Sequence, residues 1–284
     1  MILVTGAGGT VGGELVKVLR SSGARFRAAY HSPHKAEQAK HDGLDAVALD
    51  FAKPSTVAAA LADVDHLFLL GTGFIGQAEA EIGVVREAKK AGVRHLVKLS
   101  VWGADSEAFS FAKVHRPVER AIESSGLTWT FLRPNGFMQN MVNYYAATIK
   151  SDGAFYTPSR GSRVSHIDAR DIAAVAGKTL TEAGHEGKIY RLSGPESLTY
   201  AEIAAKLSAV LGTMVKYVDV PDADFKKGAM GAGMPEAYAD ALLSLIHYYE
   251  GDHASAITPD VERVTGRKPV RFDQFARDHA DAFM

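Results

Sequence analysis

Through the first half of the chain, short apolar runs alternate with longer stretches in which apolar residues recur every three or four positions. The runs predict buried strands at Ile2–Thr5, Arg25–Tyr30, Ala46–Leu49, His66–Leu70, His95–Ser100 and Trp129–Arg133. The periodic stretches predict helices between them. The first is Val11–Ser22, with Val11, Leu15, Val18 and Leu19 on one face; Lys35–His41, Ser55–Leu61, Gln77–Ala91 and about Val114–Ser125 follow. Gly23, Gly92 and Gly126 stand where three of these helices should stop. Strand–helix units of this length need crossover connections, so the expected fold class is α/β: a Rossmann-type doubly wound parallel sheet covered on both faces. After about residue 135 the rhythm loosens. Helices are predicted at Asp168–Thr181, Tyr200–Leu211 and Pro235–Tyr249, and strands at Lys188–Leu192 and Met214–Val218. The stretch KKGAMGAGMPE reads as irregular chain ahead of the last helix. A sheet domain over 1–135, with later segments returning to the sheet, and a smaller C-terminal α/β lobe over 136–284 are expected.

Composition narrows the chemistry. Of 284 residues 46% are apolar and 23% charged, enough for a substantial core in a globular chain. The 32 basic and 33 acidic residues nearly cancel, which argues against a nucleic-acid partner. With no cysteine, a disulfide scaffold, a thiolate metal site and a cysteine nucleophile are excluded. No basic leader precedes MILVTG and no run approaches a membrane span, so a cytoplasmic protein with no membrane partner is expected, monomeric or homodimeric.

The strongest local signal is LVTGAGGTVGGELV at 3–16, which carries G-x-x-G-x-x-G on Gly6, Gly9 and Gly12 between the first strand and the first helix. Gly6 permits a sharp turn, Gly9 lets backbone N–H groups approach a pyrophosphate, and Gly12 lets the helix lie close to the sheet. The positive end of the helix adds to the attraction. No Gly-Lys-Ser/Thr follows, which argues against a Walker-type loop. An NAD site would place a carboxylate about twenty residues on. The chain has Tyr30-His31-Ser32-Pro33-His34-Lys35 there, and His31 and Lys35 can meet a 2′-phosphate, or are surface residues at a strand end. NADPH is favoured over NADH.

TGAGGTVG, Ser32-Pro33-x-Lys35, RPVERAIESSGLTWTFLRPNGFMQN (116–140), HIDARDIAAVA (166–176) and GMPEAYADALL (233–243) together resemble the NmrA-like family of atypical short-chain dehydrogenases/reductases, from the first strand to the end. That family includes dye, quinone, imine and azo reductases, and regulators that bind NADP without turnover. The resemblance implies an NAD(P)-binding sheet domain and a substrate-binding lobe. It places Gly6, Gly9, Thr10, Val11 and Gly12 at the pyrophosphate, and His31 where many relatives carry arginine. Asp50 and Phe51 would border the adenine, and Leu70, Gly71 and Thr72 would line the ribose and nicotinamide. Ser100 would face the nicotinamide, and the backbone of Pro134, Asn135 and Phe137 would flank its amide. Registering Glu119 against the wider superfamily's Tyr-x-x-x-Lys helix puts Phe111 at the Tyr position and His115 at the Lys position. Phenylalanine cannot donate a proton. His115 and Ser100 are then the candidate catalytic residues, His115 as ribose clamp or proton donor, with Lys113 a possible substitute one turn away.

Hydride transfer to an electron-poor or cationic acceptor needs no strong protein acid, since the cofactor carries the chemistry. A flat apolar substrate would meet Phe74, Trp102, Phe137, Asn140, Tyr144 and Met230, with Tyr145, Tyr156 and Met234 nearby in sequence and Gln139 as a further polar contact. Each of these could instead be core. The histidines lack ligand spacing, so no metal is expected; Ser100 lacks a Gly-x-Ser-x-Gly elbow; Asp168 and Asp171 read as helix caps. The expected function is an NAD(P)H-dependent reductase of small conjugated electrophiles (quinone, imine or iminium, cationic dye). The alternative is an NAD(P)-binding redox sensor, and a weaker third reading is an epimerase- or lyase-like member.

Overall fold

Leu3 and Val4, Ala28 and Ala29, Leu67 to Leu69, and Leu96 and Val97 are all buried. Strands with no solvent-facing side must be covered by helices on both faces. In the computed structural model, which describes residues 1–71 and 73–284, these segments form such a sheet. In chain order the elements are β1 (Ile2–Val4), α1 (Thr10–Ser21), β2 (Phe26–Tyr30), α2 (Pro33–His41), β3 (Ala46–Ala48), α3 (Pro54–Ala60), β4 (His66–Leu69), α4 (Gln77–Lys90), β5 (His95–Leu99), α5 (Ser110–Glu123) and β6 (Thr128–Pro134). A π-helical turn (Met141–Tyr145), α6 (Ala146–Asp152), β7 (Ala154–Tyr156), α7 (Ala169–Thr181), β8 (Lys188–Leu192), α8 (Tyr200–Leu211) and β9 (Lys216–Val218) follow. Last come α9 (Asp222–Gly231), α10 (Glu236–Glu250), α11 (Asp260–Thr265) and α12 (Phe272–Asp278).

The seven-stranded sheet runs β3-β2-β1-β4-β5-β6-β8, an α/β Rossmann-type arrangement. Its ladders from β3 to β6 are parallel: Ile2 pairs with Phe26 on one side and His66 on the other, and His95 pairs with His66 and Thr128. Chain order reverses between β1 and β4, the switch point where open α/β sheets bind ligands beyond the carboxyl ends of their strands.

Two compact units arise, and neither is a continuous stretch of sequence. The first holds residues 1–104, 114–133 and 169–191, and the second 105–113, 134–168 and 192–284. In the first, Leu3, Leu67, Leu96, Val118 and Phe131 share one core. There α7 packs on α1, and a Cβ on Gly177 would stand 2.7 Å from Val18 Cγ1, so this crossing depends on the missing side chain. In the second unit Phe155, Tyr200, Leu207, Phe272 and Phe275 form the core. A parallel pair, β7 with β9, lies beside it, and a Thr199–Glu202 capping box opens α8.

Three features depart from the expected pattern. Helix α5 starts at Ser110, four residues early, and carries Pro117 in its interior. The absent Pro N–H makes that position resemble a helix start in sequence. Helix α9 occupies most of the stretch read as irregular. It buries none of its residues, so it lacks the apolar stripe by which helices are recognised. The short elements β7, α11 and α12 also went unread, each being too brief to show a period.

Candidate functional site

The glycine turn has the geometry its spacing requires. Gly6 sits at φ +64°, a left-handed conformation that favours glycine, and its carbonyl accepts the Gly9 N–H at 2.9 Å. A Cβ on Gly12 would lie 2.1 Å from the Gly6 carbonyl oxygen, so only glycine lets α1 close on the turn. Gly9 is the N-cap of α1; no side chain caps this end, and its first turn holds no acidic residue. Thr10 and Val11 therefore begin the helix with backbone N–H groups that no side chain has claimed, and the dipole adds positive potential. Open donors, positive potential and absent side chains fit a dinucleotide pyrophosphate.

Beside the turn, a cavity of about 200 Å³ is lined by Gly6, His31, Asp50, Phe51 and Leu70, together with Ala29, Leu49, Ala52 and Ala80. Five of the residues expected around a cofactor (Gly6, His31, Asp50, Phe51 and Leu70) thus meet in one place. His31 is exposed at the end of β2. Lys35 is exposed on α2, which Ser32 caps by accepting the Lys35 N–H at 3.3 Å. The Lys35 stem passes the glycine turn, 3.9 Å from where a Gly8 Cβ would stand. Asp50 Oδ1 accepts the Ala52 N–H at 3.0 Å, and Lys53 lies 3.3 Å away. These bonds hold the carboxyl below its ordinary range, the backbone bond most strongly.

At the end of β4, Thr5 clamps the switch point. Its hydroxyl donates to the carbonyls of Phe68 and Leu70 and accepts the Leu70 N–H at 2.8 Å. The Gly71 N–H donates to Glu81 Oε1 at 2.8 Å, and a Cβ on Gly71 would fall 2.4 Å from that oxygen. Glu81 is fully buried and pairs with the equally buried Lys98 at 3.0 Å. Thr72, also expected here, lies outside the described residues. A second buried carboxylate organises the end of β5: Glu119 accepts Ser100 Oγ at 2.7 Å and a two-pronged contact from Arg133 at 2.9 and 2.7 Å. Ser100 is therefore committed to a brace, which leaves its hydroxyl oxygen able to accept. His115 Nδ1 is shut off from solvent and has no hydrogen-bond partner among the described residues. Burial, then the charge of Lys98, hold this ring well below the ordinary imidazole range. Near neutral pH it is an imidazole, not the imidazolium a general acid needs. Lys113 is exposed. Sequence reasoning missed Thr5, Glu81, Lys98 and Arg133, because a polar residue in an apolar run does not announce its partner.

The second unit shows what its expected residues do. Asn135 spends its amide on Ser165 Oγ and the Ala254 carbonyl, both at 2.8 Å, and accepts the Gly136 N–H. Pro134 is buried, and Phe137 bridges to Ile167. Gln139 donates to the buried Asp168 at 2.9 Å. A cavity of about 650 Å³ is walled by Tyr144, Tyr145, Tyr156, Phe225, Met234, Tyr238 and Leu242, with Asn143, Thr148 and Asp224 as its polar side chains. Of the six residues expected at a substrate, Tyr144 lines it; Phe137, Asn140 and Met230 do not. Met230 is 42% exposed, because α9 turns it outward while its neighbour Ala229 faces the cavity. In the first unit, Trp102 is buried and Phe74 half-buried, and neither lines the 200 Å³ cavity. Phe111 packs edge-on against Tyr238, ring centres 5.7 Å apart. Among the described residues no cluster of three or more acidic or histidine side chains could hold a metal, and no helix is long and apolar enough to cross a membrane.

A switch-point sheet, a glycine turn into an uncapped helix and a cavity between β2, β3 and β4 define a Rossmann-type nucleotide-binding protein. More particularly, the NmrA-like family pattern matches residues 1–276, and the chain belongs to that family. It is 38% identical over 284 residues to the NAD(P)H azoreductase of Xenophilus azovorans, covering all of this chain and 99% of that one. Among solved structures, an NADPH-dependent quinone oxidoreductase of Escherichia coli complexed with NADPH superposes with a TM-score of 0.90 at 25% identity, covering 99% of this chain and 100% of that one. The triphenylmethane reductase of a Citrobacter species, complexed with NADP(H), superposes with a TM-score of 0.88 at 26% identity, covering 98% and 99%.

Proposed function

We propose that this chain is an NAD(P)H-dependent reductase, with NADPH preferred, that passes a hydride to small conjugated electrophiles such as quinones, azo or imine compounds and cationic dyes. The observation that carries the reading is the uncapped glycine entry to α1 beside a cavity whose β2 edge presents His31 and no carboxylate. The azoreductase, quinone reductase and dye reductase likenesses support the reaction class.

In this reading the sheet domain takes the cofactor and the C-terminal lobe takes the substrate. Backbone N–H groups from Gly9 to Gly12 hold the pyrophosphate, and His31 and Lys35 meet the 2′-phosphate. Asp50 and Phe51 border the adenine. Leu70, Gly71 and Thr72 carry the ribose, with Gly71 fixed by Glu81. Within the sheet domain, Ser100 and His115 meet the nicotinamide end. When bound, NADPH supplies the hydride. The protein binds, orients and excludes water; with Phe111 where a tyrosine acid would stand, it favours acceptors that are already electron-poor. The aromatic cavity of the lobe suits flat rings.

The test follows NADPH oxidation against a panel of quinones, azo compounds, imines and triarylmethane dyes, beside fluorescence titrations with NADPH and NADH. Turnover with at least one class and tighter binding of NADPH are expected. Binding without oxidation of any acceptor would overturn the reductase and leave an NADP sensor. Equal affinity for the two cofactors would overturn the roles of His31 and Lys35.

A further inference from the structure

The 650 Å³ cavity holds one polar device that its role as an apolar slot does not require. Tyr144 Oη and Tyr238 Oη stand 3.2 Å apart on its wall, and Tyr238 is Tyr144's sole hydrogen-bond partner among the described residues. Tyr144 sits on the π-helical turn Met141–Tyr145, a geometry that recurs at functional sites because it re-aims a side chain at some cost in helix stability. Its ring is 40% exposed, so an incoming ligand can reach it. Tyr238 is held from behind by the edge of Phe111.

Resting on the reductase reading, we propose that the Tyr144 hydroxyl, polarised by a hydrogen bond from Tyr238, donates to the substrate atom that becomes negative during hydride transfer. A phenol that accepts one hydrogen bond becomes a stronger donor through its own O–H. Loss of water around Tyr144 pushes its ionisation upward, so the phenol keeps its proton and acts by hydrogen bonding. In quinone reduction the cofactor's C–H bond breaks and its hydrogen and electron pair pass to one quinone oxygen, forming an O–H bond; the ring becomes aromatic, the second carbonyl π bond opens to an O⁻, and NADP⁺ is left. Water entering through the cavity mouth then gives the proton that completes the hydroquinone. Tyr144 lowers the barrier by meeting the developing O⁻ with a preplaced donor. A triarylmethane cation behaves differently: hydride quenches its central positive carbon to a neutral product, and no anion forms. The tyrosine pair therefore separates substrates by the charge they develop, and it replaces in function, from another part of the chain, the phenol lost at Phe111.

The experiment compares wild type, Tyr144→Phe and Tyr238→Phe with 1,4-naphthoquinone and with malachite green, each at saturating NADPH. Binding of naphthoquinone alone is measured in parallel by quenching of protein fluorescence. For Tyr144→Phe the expected result is a fall in kcat for naphthoquinone of about a hundredfold, and for Tyr238→Phe about tenfold, against less than about twofold for malachite green. Naphthoquinone binding should weaken by about threefold to tenfold in Tyr144→Phe. Equal losses on both acceptors, or no loss on the quinone, overturn the proposal. If wild type reduces neither acceptor, the reductase reading fails; unchanged naphthoquinone affinity in Tyr144→Phe then overturns the hydrogen-bond assignment as well. A near-native NADPH titration in each variant shows that the fold is intact.

Discussion

Lowering the pH from about 7.5 to about 5 should remove several kcal/mol of stability through buried histidines. His95 and His166 are only 5% and 6% exposed, and burial lowers each from 6.5 to about 4. Around His95, His66 and His185 deepen the effect and Glu186 opposes it. Both rings are neutral in the folded chain down to about pH 4, while in the unfolded chain they take protons below about pH 6.5. Protons bound only by the unfolded state draw the equilibrium towards it, so stability is full above 6.5, falls towards 4, and is flat beyond for these two groups. Each costs about 1.4 kcal/mol per pH unit in that window, hence about 2 kcal/mol each at pH 5 and about 4 kcal/mol together. His115, shifted the same way by burial and Lys98, adds to the loss. Against a total of about 5–15 kcal/mol for a typical domain, that is a large share. Urea unfolding followed by far-UV circular dichroism at steps across this range measures it, with His166→Gln removing about half of the two-residue effect. Stability that changed by less than about 1 kcal/mol between pH 7 and 5 would refute the reasoning.

Two other perturbations test the scaffold. Gly12→Ala drives a methyl group into the Gly6 carbonyl; a loss of about 3 kcal/mol in thermal unfolding and at least about tenfold weaker NADPH binding are expected, and a neutral variant would contradict the tight turn. Lys98→Ala leaves the Glu81 carboxylate buried without its cation and should cost about 3–5 kcal/mol in urea titration. Lys98→Met with Glu81→Gln should cost less than the single variant, because an amide oxygen still accepts the Gly71 N–H without a charge to neutralise.

Much of the sheet domain was legible because its signals are local. Runs such as ILV and HLFL are strands by apolar content alone, and the glycine spacing 6-9-12 states a backbone geometry wherever it follows a strand. Helices α1 and α4 declared themselves by an apolar face and a glycine stop. Helix α9 did not, for its sequence buries nothing that would set a period. Residues expected at a cofactor could be grouped because they follow strand ends at fixed offsets in a parallel sheet, and five of them line one cavity. On the substrate side, Tyr144 lines the larger cavity while Phe137, Asn140 and Met230 do not, because whether a side chain of suitable chemistry faces a cavity depends on rotation about its element.

The sequence by itself determined the α/β class, the tight glycine turn into α1 and the absence of a carboxylate directly after β2, since each is written in neighbouring residues and needs only backbone geometry. Tertiary structure alone decided that Glu81 meets Lys98 across 17 positions, that Ser100 and Arg133 converge on Glu119, and that Tyr144 meets Tyr238 across 94. Such pairs are set by how helices and strands pack after the chain has folded, and no period or spacing in the chain encodes which distant polar group will arrive.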